Sequence, residues 1–153
     1  MSDHSPITYF SYGHNTNLSE LYGRIPDARL VGAAELPGYR FVLEHFANIV
    51  PDPESTVQGV LWGIPADEIH KLDYNEAYSR HYQHAIVEVR HGDKTVKALT
   101  YVMLPEYVDP RMPSPRYIRW ITQGYLDNRI PLKQLIDAVT ARTSEIIDMM
   151  DQV

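Results

Sequence analysis

Cysteine is missing from all 153 residues. That absence removes disulfides, thiolate metal sites and cysteine nucleophiles together, and it is compatible with a reducing compartment. No apolar run approaches the ~20 residues needed to span a bilayer, and the N-terminal "MSDHSPITYF" lacks the cationic segment and apolar core of a secretory leader. The expectation is a soluble cytoplasmic protein with no membrane partner. A basic stripe is missing as well: the formal net charge is −6 and the Lys and Arg residues are scattered singly. The electrostatic footprint of a nucleic-acid binder is therefore absent, and small molecules become the expected partners. Phenylalanine is scarce, three residues against eleven tyrosines, so many rings carry a polar tip suited to partly wet surfaces. No HxH or HExxH spacing occurs, and His81 and His84, three apart in an expected strand, fall on opposite faces. No metal site is expected. Nor is there a repeat, a low-complexity tract or a linker, and with 44% apolar content residues 1–153 read as one domain that can bury a core without staples.

What is present begins with "YFSYGHNTNLSEL", Tyr9 to Leu21. Ile7 to Tyr12 read as a short buried strand, and Leu18, Leu21, Tyr22 and Ile25 form one apolar helix face, closed by Pro26 and Asp27. Arg29–Leu36 and Tyr39–Ala47 read as two strands turning at Pro37-Gly38. A polar loop "NIVPDPEST" then precedes a strand from Val57 to Ile64. "PADEIHKLDYNEA" follows as a short helix with Ile69 and Leu72 inward. Tyr82–Arg90 and Thr95–Leu104 flank His91-Gly92-Asp93-Lys94, a hairpin signal. Ser114 is a candidate N-cap with Pro115 at the first helical position, and Tyr117, Ile118, Ile121 and Tyr125 are spaced for burial. A last helix carries Leu132, Leu135, Ile136, Val139, Ile146 and Ile147. Early strands, short interleaved helices and two closing helices predict an α+β fold: a curled, mainly antiparallel mixed β-barrel-like sheet with flanking helices. Several connections are too short for a parallel crossover.

Two stretches carry chemistry. Between Tyr12 and Leu18 the chain makes a polar, glycine-led entry into a helix, where backbone amides and the helix dipole favour an anion or a developing oxyanion. The GK[ST] ending of a P-loop and a GxGxxG are both absent, and the nearest cation is Arg24. The simpler alternative is that Asn15, Thr16 or Asn17 only caps the helix. The second stretch is "KLDYNEAYSRHY", Lys71 to Tyr82, where Glu76 lies among Tyr74, Tyr78 and Tyr82. A carboxyl among rings has a raised pKa and becomes a proton-transfer group near neutral pH. Local physics does not rank Asp73 below it, and a solvated loop glutamate is the plain alternative.

Taken together, Tyr12-Gly13-His14-Asn15-Thr16-Asn17 is similar to the YGSN(MN) loop of the γ-glutamylcyclotransferase (AIG2-like) family, and Leu72-Asp73-Tyr74-Asn75-Glu76-Ala77 resembles its LDxxEG element. "PSPRYIRWITQGYLDNRIP", Pro113 to Pro131, resembles the PSPxY element of the branch acting on γ-glutamyl amino acids and γ-glutamylamines, and "LPGYRF" and "ANIVPDP" extend the likeness along the chain. The resemblance implies a γ-glutamylcyclotransferase-like fold, no cofactor, a monomer or homodimer, and cyclisation of a small-molecule γ-glutamyl substrate to 5-oxoproline. It implies Glu76 as the catalytic acid/base and substrate contacts at Tyr12, Gly13, His14, Asn15, Tyr82 and Tyr117. His14 stands where the loop usually has serine, and Ala77 where the glycine after the glutamate stands. A catalytically silent small-ligand binding or interaction module is the alternative, and a replaced Glu76 would mark it.

Overall fold

The computed structural model describes residues 5–75 and 81–152. Five strands, β1 (Ile7–Ser11), β2 (Arg29–Leu43), β3 (Ala47–Ile64), β4 (Tyr82–His91) and β5 (Lys94–Met103), close a barrel in the order β1-β3-β2-β4-β5. Four helices flank it: α1 (Leu18–Arg24), α2 (Ile69–Asn75), α3 (Pro115–Asp127) and α4 (Lys133–Asp151). Pairing is antiparallel except between β1 and β5, which meet in parallel at Tyr9 and Leu99 and close the barrel. Closure leaves a small barrel interior that side chains fill. Phe10, Leu36, Val57, Val60, Trp62, Leu72 and Val89 are buried there or against it. The β4–β5 hairpin turns at Gly92, whose φ of 60° suits the tight connection that the sequence predicts. Ser114 caps α3 by accepting the Tyr117 amide at 3.1 Å, with Pro115 in the first turn. Among the described residues no helix is long and apolar enough to cross a membrane.

Two expectations are corrected. Pro37-Gly38 is not a hairpin turn: β2 runs unbroken through it, and the pairing jumps from Pro37 opposite Thr56 to Tyr39 opposite Pro51. Gly38, at φ 86°, carries the irregularity on one strand. On the other, residues 52–55 absorb it, folding on Asp52, whose carboxylate accepts the Glu54 amide at 3.1 Å and the Ser55 hydroxyl at 2.8 Å. Those bonds, Ser55's first, hold the Asp52 carboxyl below its ordinary pKa. The expected polar loop is thus part of β3, and the real turn is Glu44–Phe46, closed by the Glu44 amide on the Phe46 carbonyl at 2.9 Å.

Burial on α4 does not follow its apolar residues alone. Leu135 and Ala138 are buried, but Ile136 and Ile147 are exposed, while Arg142 is only 6% exposed. Its guanidinium donates to the Leu43 carbonyl at 2.7 Å, to Glu44 at 2.9 Å and to Glu145 at 2.6 Å. The helix face is therefore set by a charge that closes the end of the β2–β3 hairpin, and the apolar period alone does not find it.

Candidate active site

Past Ser11 the chain passes through Tyr12 and Gly13 into a 3-10 turn, His14–Thr16, and then into α1. Inside the turn the Thr16 amide and hydroxyl both donate to the Gly13 carbonyl, at 3.0 and 2.7 Å, and the Asn17 amide donates to His14. Asn17 is the helix cap: its side chain accepts the Glu20 amide at 3.0 Å. Capping therefore falls on one of the three residues that the sequence leaves open, and Asn15 and Thr16 have other partners. Asn15, 2% exposed, donates to the Tyr9 hydroxyl at 3.0 Å and accepts from the Arg24 guanidinium. Its carbonyl receives the Ser11 hydroxyl at 3.1 Å and the Trp62 indole N–H at 3.2 Å. Arg24, at the end of α1, thus folds back on the turn. This buried hydrogen-bond network, in which only the Arg24 Nε lacks a partner, holds the turn in one shape.

At Gly13 space is short: an added Cβ would lie 3.0 Å from the Ala47 Cβ and 3.3 Å from the Tyr117 hydroxyl. Gly124 plays the same part on α3, where a Cβ would fall 2.2 Å from Thr16 Oγ1. Without side chains there, α3 lies directly against the turn.

Tyrosine hydroxyls fasten the walls. The Ala47 amide donates to Tyr117 Oη at 2.9 Å, and Tyr82 Oη donates to the Ala47 carbonyl at 2.7 Å. Tyr12 Oη donates to the Tyr101 carbonyl, and Tyr125 Oη donates to the Tyr12 carbonyl at 2.8 Å. Burial raises the Tyr125 phenol well above its ordinary pKa, so it stays a donor.

Tyr12, Gly13, His14, Asn15, Tyr82 and Tyr117, from three separate parts of the chain, line one narrow cleft of about 20 Å³. The sequence reading misses Tyr9, Ala47 and Tyr101, which line it too. Their strands alternate sides with period two, but which side becomes the cleft depends on barrel closure. Glu76 and Tyr78 lie outside the described residues. Asp73, on α2, accepts from the Tyr101 hydroxyl and sits 2.7 Å from His84 Nε2, and it is not among the lining residues of the cleft. Among the described residues lining the cleft none carries a carboxylate, an ammonium or a guanidinium group. No three His, Asp or Glu side chains among the described residues group closely enough to hold a metal ion. The cleft offers a backbone turn, phenols and an imidazole, which suit a neutral or zwitterionic polar ligand and the stabilisation of a developing oxyanion.

A family model described as "Gamma-glutamyl cyclotransferase, AIG2-like" matches residues 9–121. Among solved structures, an uncharacterized protein from Homo sapiens is similar at 25% identity and a TM-score of 0.78, over 89% of this chain and 87% of that one. A structure titled "Gamma-glutamyl cyclotransferase" superposes with a TM-score of 0.74 at 22% identity, over 86% of this chain and 85% of its own. YkqA from Bacillus subtilis matches at 27% identity and a TM-score of 0.69, over 79% of this chain and 48% of that protein. Among curated proteins none matches the sequence.

Proposed function

We propose that this chain, which belongs to the AIG2-like γ-glutamyl cyclotransferase family, cyclises a γ-glutamyl amide to 5-oxoproline and releases the amine. The observation that carries this reading is the convergence of the Tyr12–Asn15 turn, Tyr82 and Tyr117 on one cleft. The residues flanking the Glu76 segment support it further. On one side Asp73 is bonded to the cleft-lining Tyr101, and on the other Tyr82 itself lines the cleft. Glu76 falls between these two residues in the sequence.

In this reaction the substrate's α-amino nitrogen attacks its own γ-carbonyl carbon. A C–N bond forms, the carbonyl oxygen takes up the negative charge, and the old amide C–N bond breaks as the oxyanion collapses. Glu76 accepts the proton lost by the attacking nitrogen and returns one to the leaving nitrogen. Nucleophile and electrophile belong to one molecule, so the protein's task is to hold the folded-back conformer and stabilise the oxyanion. The Tyr12–Asn15 turn, fixed by Asn15 and Tyr125, is suited to that because its dipoles need no reorganisation during the step.

The test uses a panel of γ-glutamyl amides with product analysis for 5-oxoproline, each compound also supplied with its α-amine acetylated. Cyclisation predicts 5-oxoproline from the free amines and no release from the acetylated ones. Release of N-acetylglutamate would point to attack by water and overturn the reading, and binding without turnover would favour a silent ligand-binding module.

A further inference from the structure

The rim of the cleft carries rings that the cyclisation does not need. Phe46, at the end of the β2–β3 turn, is 43% exposed in a chain that has only three phenylalanines. Its ring centroid lies 5.3 Å from Tyr117, Tyr117 lies 5.7 Å from His14, and His14 lies 6.3 Å from Trp120. The Arg116 guanidinium carbon sits 4.8 Å above the Trp120 ring. Tyr117 and His14 line the cleft, whereas Phe46 and Trp120 flank them outside it. The rings thus form a continuous band that starts in the cleft and runs out along the N-terminal turns of α3.

The inner end of the cleft is narrow and made of hydrogen-bonding groups, the chemistry that matches a polar γ-glutamyl head. Whatever is attached to the γ-nitrogen must extend toward the mouth. There the surface is π faces and ring edges at tilted angles of 38–58°, an arrangement that accepts another ring edge-to-face or offset. The stacked guanidinium of Arg116 fixes the Trp120 plane. Resting on the cyclotransferase reading, we propose that Phe46, Tyr117, His14 and Trp120 form the leaving-group subsite, and that it selects γ-glutamyl amides whose departing amine carries an aromatic ring. An aliphatic leaving group of similar length gains no comparable stacking there, and a cationic one meets Arg116 at the outer end.

The experiment measures kcat/KM for 5-oxoproline formation from γ-glutamyl-phenylalanine, γ-glutamyl-alanine and ε-(γ-glutamyl)-lysine. Calorimetric binding of γ-glutamyl-phenylalanine is followed alongside, in the wild type, Trp120→Ala and Phe46→Ala. Phe46 lies on an exposed turn, so its variant remains informative if Trp120→Ala fails to fold. The expected result is a preference of about tenfold or more for the phenylalanine compound over the alanine compound, which is the scale of discrimination an apolar pocket provides. Each variant is expected to lower that ratio about fivefold or more and to weaken phenylalanine-compound binding. Turnover without an aromatic preference, or an unchanged ratio in both variants, overturns the subsite and leaves cyclisation standing. Ring-dependent binding without 5-oxoproline overturns cyclisation and leaves the subsite standing, while neither binding nor turnover overturns both.

Discussion

The Tyr125 hydroxyl donates to the Tyr12 carbonyl at 2.8 Å, so the third helix holds the peptide that leads into Gly13. Gln134 on α4 donates to the same hydroxyl at 2.8 Å, accepts the Gln58 N–H of β3 at 2.7 Å and donates to the Gln58 carbonyl at 2.9 Å. Two helices and a strand thereby fix the backbone of the glycine turn. Tyr125→Phe keeps the ring and leaves the buried Tyr12 carbonyl without this donor, a loss of about 1–3 kcal/mol. Urea unfolding should show a lower midpoint with unchanged slope, and kcat/KM for cyclisation should fall at least about tenfold as the turn relaxes. An unchanged midpoint would mean that water replaces the phenol there.

Gly13→Ala places a methyl group 3.0 Å from the Ala47 Cβ and 3.3 Å from the Tyr117 hydroxyl. Overpacking of this kind costs about 1–3 kcal/mol. The double variant with Ala47→Gly, which removes the opposing Cβ, should recover a measurable part of the lost stability. If the double variant is no more stable than the sum of the two single changes, the clash is not the cause.

Glu76→Gln retains volume and loses the ability to accept a proton. Turnover is expected to drop about a hundredfold or more, on the scale of general acid–base contributions, with γ-glutamyl ligand binding preserved by calorimetry. Turnover within about tenfold of wild type would remove Glu76 from the proposed role.

Burial raises the Glu44 pKa above its ordinary 4.5. Arg142 opposes that shift, and Glu145 and Asp109 add to it. A carboxyl whose folded pKa is raised binds its proton more tightly in the folded than in the unfolded protein. Its stabilising contribution is therefore complete below 4.5 and is lost as pH rises through the folded value. Denaturant unfolding of wild type and Glu44→Gln from about pH 4 to about pH 7 should show the wild type losing stability relative to the variant across that window. A constant difference would mean that the Arg142 ion pair cancels the burial effect.

Much of this molecule is legible in its sequence because the signals are local. The helix starting at Ser114-Pro115 and the hairpin at Gly92 need only neighbours within a few residues, and both are present as read, whereas of the apolar face read for α1 Leu21 and Ile25 are buried and Tyr22 is exposed. The barrel class follows from strand spacing and short connections. The lining residues from Tyr12 to Asn15, with Tyr82 and Tyr117, come from motif resemblance rather than from local physics.

Tertiary structure alone decided the remainder. Pro37-Gly38 has the chemistry of a turn, but whether such a pair reverses the chain or bulges within a strand depends on the partner, and β3 supplies compensating residues at 52–55. Arg142 is buried because Glu44 and the Leu43 carbonyl, nearly a hundred residues earlier, meet it there. Gly13 and Gly124 are glycines for reasons that appear only when Ala47, Tyr117 and Thr16 are brought against them. Local propensity sets which elements form, because it acts along the chain. The shape of the cleft is set by contacts across the barrel, whose energies depend on partners that the local sequence does not contain.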